Sequence, residues 1–121
     1  MITGIGVDLI EIERVVKACK NESFLKKYYT EKEIELFGGD MRKAADNFAV
    51  KEAVAKMLGT GFRGFFPGEV EVLRDSLGKP YVTLYGNALE IANRQGVINI
   101  HVSITNTKEY ANSFVIGENM V

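Results

Sequence analysis

The sequence predicts an α+β fold, a small antiparallel sheet packed with a long helix, and three observations carry that prediction. Helix caps and helical spacing crowd residues 8–58. Strand alternation and turn signals dominate residues 69–117. Only one strand-like run, Ile2 to Ile10, precedes the helices, so the β-α-β alternation of a doubly wound sheet is missing.

Taken in order, Ile2 to Ile10 is rich in Ile, Val and Leu with two glycines and reads as a short buried strand. Asp8-Leu9-Ile10-Glu11 has the form of a capping box and predicts a first helix running to about Lys20. Thr30-Glu31-Lys32-Glu33 is a stronger box, opening a short helix that Gly38-Gly39 ends. Asp40 caps a long helix from Met41 to Leu58, which Gly59 stops, and Gly59 to Gly68 is a glycine-rich loop. Glu69 to Arg74 and Pro80 to Leu84 are two strands joined through Asp75-Ser76-Leu77-Gly78. Gly86 to Gln95 has helical spacing. Ile98, Ile100, Val102 and Ile104 then alternate with polar residues as a half-buried strand, paired across Asn106 to Glu109 with Tyr110 to Gly117.

With 121 residues, 46% of them hydrophobic and 26% charged, the composition is that of one soluble domain over residues 1–121. A net charge of −1 argues against a protein built to coat nucleic acid or an anionic membrane. Cys19 is the lone cysteine, expected as a small buried hydrophobe, and no Cys/His spacing suggests zinc. No apolar run near 18 residues and no charged-then-apolar leader at Met1-Ile2-Thr3-Gly4 are found, so the expected setting is cytoplasmic and reducing.

Chemistry is sought first on the long helix. Met41, Ala44, Ala45, Phe48 and Ala55 fall on one apolar face, with Glu52 at its centre and Lys56 one turn on. A carboxylate on a buried stripe is costly unless a cation, a metal or hydrogen bonds meet it. Asp8 admits two readings, an ordinary N-cap or a carboxylate sharing a divalent cation with Glu52. Lys56 is either half of a simple i,i+4 pair or an ammonium facing a phosphate. Gly59-Thr60-Gly61 is mainly a helix stop, although such a turn can offer backbone N–H groups to phosphate oxygens. Arg14, Lys17, Lys20, Lys26 and Lys27 make a basic run, either a solvated face or a docking patch for an acidic partner, with Phe24 and Leu25 as apolar anchors. His101, Ser103 and Thr105 share one side of a strand with no acidic residue at a matching position, which speaks against a serine-hydrolase triad.

Together these segments resemble the holo-acyl-carrier-protein synthases, a family of 4′-phosphopantetheinyl transferases. The resemblance rests on Gly4-Ile5-Gly6-Val7-Asp8-Leu9-Ile10-Glu11-Ile12-Glu13-Arg14, on Phe48-Ala49-x-Lys51-Glu52-Ala53-x-x-Lys56-x-x-Gly59-Thr60-Gly61, on Gly78-Lys79-Pro80, and on His101-Val102-Ser103-Ile104-Thr105-x-Thr107-Lys108-Glu109-Tyr110-Ala111. It implies a Mg²⁺-dependent transfer of 4′-phosphopantetheine from coenzyme A to a serine of apo-acyl carrier protein, with 3′,5′-ADP as leaving group. It also implies homotrimers with active sites between subunits. Asp8 and Glu52 match the family's metal ligands, and Lys56 its lysine near the reacting phosphate. Gly59, Thr60, Gly61 and the segment Ser103, Thr105, Asn106 and Thr107 match regions that hold coenzyme A. Arg14 matches its basic contact for the carrier protein, and charge extends that patch to Lys17 and Lys20. Mn²⁺ would suit the same oxygen ligands.

Two positions depart from the family pattern. Asn106 stands where His is usual and Asn47 where Arg is usual. Asn106 cannot act as a base near neutral pH, and loss of an arginine at 47 predicts weaker coenzyme binding. The alternative reading is therefore a non-catalytic coenzyme A or nucleotide-binding module on the same fold.

Overall fold

A computed structural model describes residues 1–119. The elements follow as β1 (Ile2–Glu11), α1 (Ile12–Ala18), α2 (Glu22–Tyr28), α3 (Glu31–Phe37), α4 (Met41–Leu58), a 3-10 turn (Pro67–Glu69), β2 (Val70–Arg74), β3 (Pro80–Leu84), α5 (Gly86–Arg94), β4 (Asn99–Asn106) and β5 (Tyr110–Glu118). The α+β expectation holds. One antiparallel sheet has the order β1-β5-β4, and β2-β3 forms a separate hairpin.

Helix α4 organises the core. Asp40 caps its start by accepting the Arg42 N–H at 3.1 Å, and Gly59 ends it in a left-handed conformation at φ 76°. Val50, Val54 and Leu58 pack into one apolar cluster with Val70 and Val72 of β2, Ala88, Ile91 and Ala92 of α5, and Val115 of β5. Ala44, Ala45 and Ala49 meet a second cluster of Ile12, Val15, Cys19, Tyr29 and Phe37. Small residues on that side let α1 come close. The helix is thus buried on most sides, and the single apolar stripe read from its sequence is a simplification.

Two expectations are corrected. Asp8-Leu9-Ile10-Glu11 caps nothing: Asp8 lies inside β1, which pairs with β5 as far as Glu11↔Tyr110. Helix α1 begins only at Ile12, after Glu11, with no side-chain cap. Continuous ladder hydrogen bonds outweigh the single bond a cap would add. Helix α2 is an element the sequence reading missed. Asn21 caps it, accepting N–H groups of Ser23 at 2.8 Å and Phe24 at 3.2 Å. Phe24 and Leu25 are partly buried against the second cluster, with Phe24 stacked on Tyr28.

Candidate active site

The backbone itself aligns β1 with α4. A Cβ on Gly4 would collide with the Met57 carbonyl oxygen, and one on Gly6 with that of Ala53. Only glycine permits this approach. Two strand residues rise about 6.6 Å and four helix residues about 6 Å, so the two elements stay in step, running in opposite directions. Asp8 is the next position on the same strand face and the first there with a reactive side chain. It therefore meets α4 in the stretch that carries Glu52, with Lys56 one turn beyond.

Lys56 Nζ donates to Asp8 Oδ1 at 3.1 Å and to the Val7 carbonyl at 2.9 Å. The Asp8 side chain is 13% exposed and that of Lys56 54% exposed. Asp8 Oδ2 is buried with no hydrogen-bond partner. Glu52 is half-buried, and its carboxyl is held above the ordinary value first by burial and then by the charge of Asp8, with Lys56 opposing. The one ammonium bonds Asp8 and only opposes the charge of Glu52 from a distance, which leaves an Asp8 oxygen over. Among the described residues no group of three or more His, Cys, Asp or Glu could enclose a metal. Two carboxylates with an unmet oxygen fit Mg²⁺, which completes its shell with water and phosphate oxygens.

The other face of α4 holds a polar cluster that the sequence reading did not identify. Glu33 and Lys51 form a fully buried ion pair at 2.8 Å. Lys51 also donates to the carbonyls of Pro67 and Val70. Glu33 accepts further from the Thr30 N–H at 3.0 Å and from Asn47 at 2.9 Å. Burial pushes Glu33 up and Lys51 down, and each restrains the shift of the other. The available signal was the Thr30-Glu33 capping box, since it fixes which way Glu33 points.

Position 47 belongs to the same cluster. Asn47 is fully buried, donates also to the Val72 carbonyl at 2.9 Å, and accepts from Arg74 Nη2 at 2.9 Å. Its side chain is thus spent inside the chain and offers no contact in place of an arginine's. Asn106 is exposed at the end of β4, and its Nδ2 donates to both carboxylate oxygens of Asp46 at 2.9 and 3.1 Å.

The remaining candidates are distributed as follows. The N–H groups of Gly59, Thr60 and Gly61 point back at the Ala55 and Lys56 carbonyls, so they close the helix and are not presented to a phosphate. Ser103 and Thr105 project from the sheet face opposite α4, away from Asp8 and Glu52. Thr107 braces the β4–β5 turn through its hydroxyl, which accepts the Tyr110 N–H at 3.0 Å. His101 has an acidic neighbour after all, with Nε2 3.0 Å from Glu118 Oε1. Arg14, Lys17 and Lys20 are exposed, and Glu13 lies 3.7 Å from Lys17. Arg14 borders an apolar groove of about 420 Å³ with Leu9, Phe24, Phe48 and Tyr110. Cys19 is buried, and burial raises its thiol, as expected of an inert core residue.

A family model described as the 4′-phosphopantetheinyl transferase superfamily matches residues 4–115. A holo-[acyl-carrier-protein] synthase of Lachnoclostridium phytofermentans is 65% identical over 118 residues, covering 98% of this chain and 97% of the relative. A Plasmodium yoelii acyl carrier protein synthase with ADP bound superposes with a TM-score of 0.89 at 30% identity, covering 100% of this chain and 98% of that one. A Bacillus anthracis holo-(acyl-carrier-protein) synthase in complex with CoA (3′,5′-ADP) superposes with a TM-score of 0.82 at 32% identity, covering 99% of each chain. With Asp8, Glu52 and Lys56 gathered where β1 crosses α4, and with these likenesses spanning nearly its whole length, the chain belongs to the 4′-phosphopantetheinyl transferase superfamily.

Proposed function

We propose that this chain transfers 4′-phosphopantetheine from coenzyme A to a serine of apo-acyl carrier protein and releases 3′,5′-ADP. The observation that carries this reading is the convergence of Asp8, Glu52 and Lys56, with Asp8 Oδ2 left unmet. The relatives named above supply the substrate class.

Asp8 and Glu52 are the residues that would hold Mg²⁺, which supplies charge neutralisation at the coenzyme's pyrophosphate. Lys56 adds a fixed cation beside it, with Nζ already turned toward Asp8. The carrier serine Oγ forms a bond to the phosphorus that bears pantetheine. The bond from that phosphorus to the bridging oxygen breaks, and its electron pair leaves on 3′,5′-ADP. Phosphoryl chemistry of this kind asks mainly for positioning and charge stabilisation. Asn106, held as a donor to Asp46, cannot take the serine proton. The proton leaves through a water beside the Glu52 carboxylate.

The exposed Arg14, Lys17 and Lys20 beside an apolar groove suit an acidic carrier-protein helix. Gly59, Thr60, Gly61, Ser103, Thr105, Asn106 and Thr107 are proposed to line the coenzyme. Ser103 and Thr105 face away from Asp8 within one chain, which favours a homotrimer whose sites form between copies. The open sheet face supports that assembly, because Ile5, Val7, Leu9 and Phe114 are 59%, 50%, 63% and 41% exposed there. No helix of the described residues is long and apolar enough to cross a membrane. A cytoplasmic protein, one domain over residues 1–121, completes the reading.

Incubation with apo-acyl carrier protein, coenzyme A and Mg²⁺, followed by mass spectrometry, tests it. One added phosphopantetheine per carrier is expected. No gain in mass, with coenzyme A binding demonstrated, overturns the transferase and leaves the binding module.

A further inference from the structure

We propose that the buried hydroxyl of Ser113 is a positioning residue of the divalent-cation site, orienting a water of the cation's shell against Asp8. The proposal rests on the reading that Asp8 and Glu52 hold that cation. Its own ground is a coincidence of two unmet oxygens. Ser113 stands directly across the β1–β5 ladder from Asp8. Residues facing each other in an antiparallel pair project to the same side, with Cβ atoms roughly 4.5–5.5 Å apart. That side is the one covered by α4, since Gly6 and Asp8 of β1 and Ala111, Ser113 and Val115 of β5 all turn away from the open face.

Ser113 is 0% exposed, and its Oγ has no hydrogen-bond partner. The same is true of Asp8 Oδ2. Both oxygens thus belong to one ladder pair on the α4 side of the sheet, and neither is hydrogen-bonded to the other. A hydroxyl fully buried without a partner costs free energy, and alanine would fill the position equally well. A water between them gains an acceptor in Asp8 and either an acceptor or a donor in Ser113, and the cation supplies its third contact. Neighbouring groups do not compete for this role. Lys56 is committed to Asp8 Oδ1 and the Val7 carbonyl, and Asn112 donates to the Asp8 carbonyl at 3.0 Å from the opposite face.

The test is a Mn²⁺ titration followed by electron paramagnetic resonance, with 3′,5′-ADP present and no carrier protein. Ser113→Ala is expected to weaken Mn²⁺ binding by about 10-fold, as loss of an outer-shell partner does elsewhere. Its melting temperature should equal or exceed that of the unaltered chain, so that a loss of Mn²⁺ affinity is not a loss of folding. Asp8→Asn, titrated alongside, is expected to abolish binding. Unaltered affinity in Ser113→Ala, with binding lost in Asp8→Asn, overturns the role of Ser113 and leaves the cation site standing. Unaltered affinity in Asp8→Asn overturns both.

Discussion

Lys51 and Glu52 are neighbours in sequence on one helix, yet their surroundings have opposite designs. On the Lys51 side, carboxylate, ammonium, amide and carbonyls close on one another: Lys51 donates to Glu33, Pro67 and Val70, and Asn47 donates to Glu33 and Val72. On the Glu52 side, the single ammonium of Lys56 bonds Asp8 Oδ1 and the Val7 carbonyl, Glu52 has no ion-pair partner among the described residues, and Asp8 Oδ2 is left without a hydrogen bond. Both sides desolvate charge, and both displace carboxyl groups upward through burial. Burial of charge therefore does not mark the reactive site. An unmet valence does, because a closed network has no capacity left for a ligand.

The contrast can be broken experimentally, beginning where the effect should be largest. Lys51→Met leaves the Glu33 carboxylate buried and unpaired, and should destabilise the fold by about 3–5 kcal/mol in urea unfolding. Turnover per folded molecule should change little. A loss of turnover without a loss of stability would put Lys51 in the chemistry and dissolve the comparison.

Glu52→Gln keeps size and removes charge. Transfer to the carrier protein should fall by roughly 10²–10³-fold at saturating Mg²⁺, with the circular dichroism spectrum unchanged. Near-normal turnover would remove Glu52 from the site. Lys56→Ala follows, with transfer down by roughly 10-fold to 10²-fold. Its effect on stability should stay below about 1 kcal/mol, since Lys56 is more than half exposed. Equal destabilisation by Lys51→Met and Lys56→Ala would mean that the two lysines do the same work.

The smallest effect is on pH dependence. The folded carboxyl of Glu52 sits above the ordinary value of 4.5, so the folded state favours its protonated form. That contribution is fully present below the unfolded value and is lost as pH rises through the folded one. Without divalent cations, Glu52→Gln should therefore be more stable than the unaltered chain at pH 7, and the gap should close below about pH 4.5. Mg²⁺ should narrow the gap at pH 7 by meeting the carboxylate. A gap that widens toward low pH would show that Glu52 is satisfied within the chain.

Much of this molecule is legible in its residues. Asp40 and Gly59 bound α4 because caps are local: each needs only a side chain or a left-handed glycine within one turn. The alternation of Ile100, Val102 and Ile104 shows a sheet with one covered face for the same reason, a period of two, whereas Ile98 lies before β4 and is 60% exposed. Glu52 stands out as a charge among apolar neighbours. The capping box proposed at Asp8 failed because a distant strand, β5, takes up the backbone that the cap would have turned into a helix.

What only the tertiary structure decided is which charged groups meet. Glu33 reaches Lys51, Asn106 reaches Asp46, and Asp8 reaches Lys56 and faces Ser113 across separations in sequence that no local pattern encodes. The sequence by itself determined the caps, the periods and the residues capable of chemistry, since these follow from bonding within a turn or a strand. Pairing across the core belongs to packing: Gly4 and Gly6 admit the backbone of α4 onto β1, and that contact alone sets Asp8 beside Lys56 and Glu52.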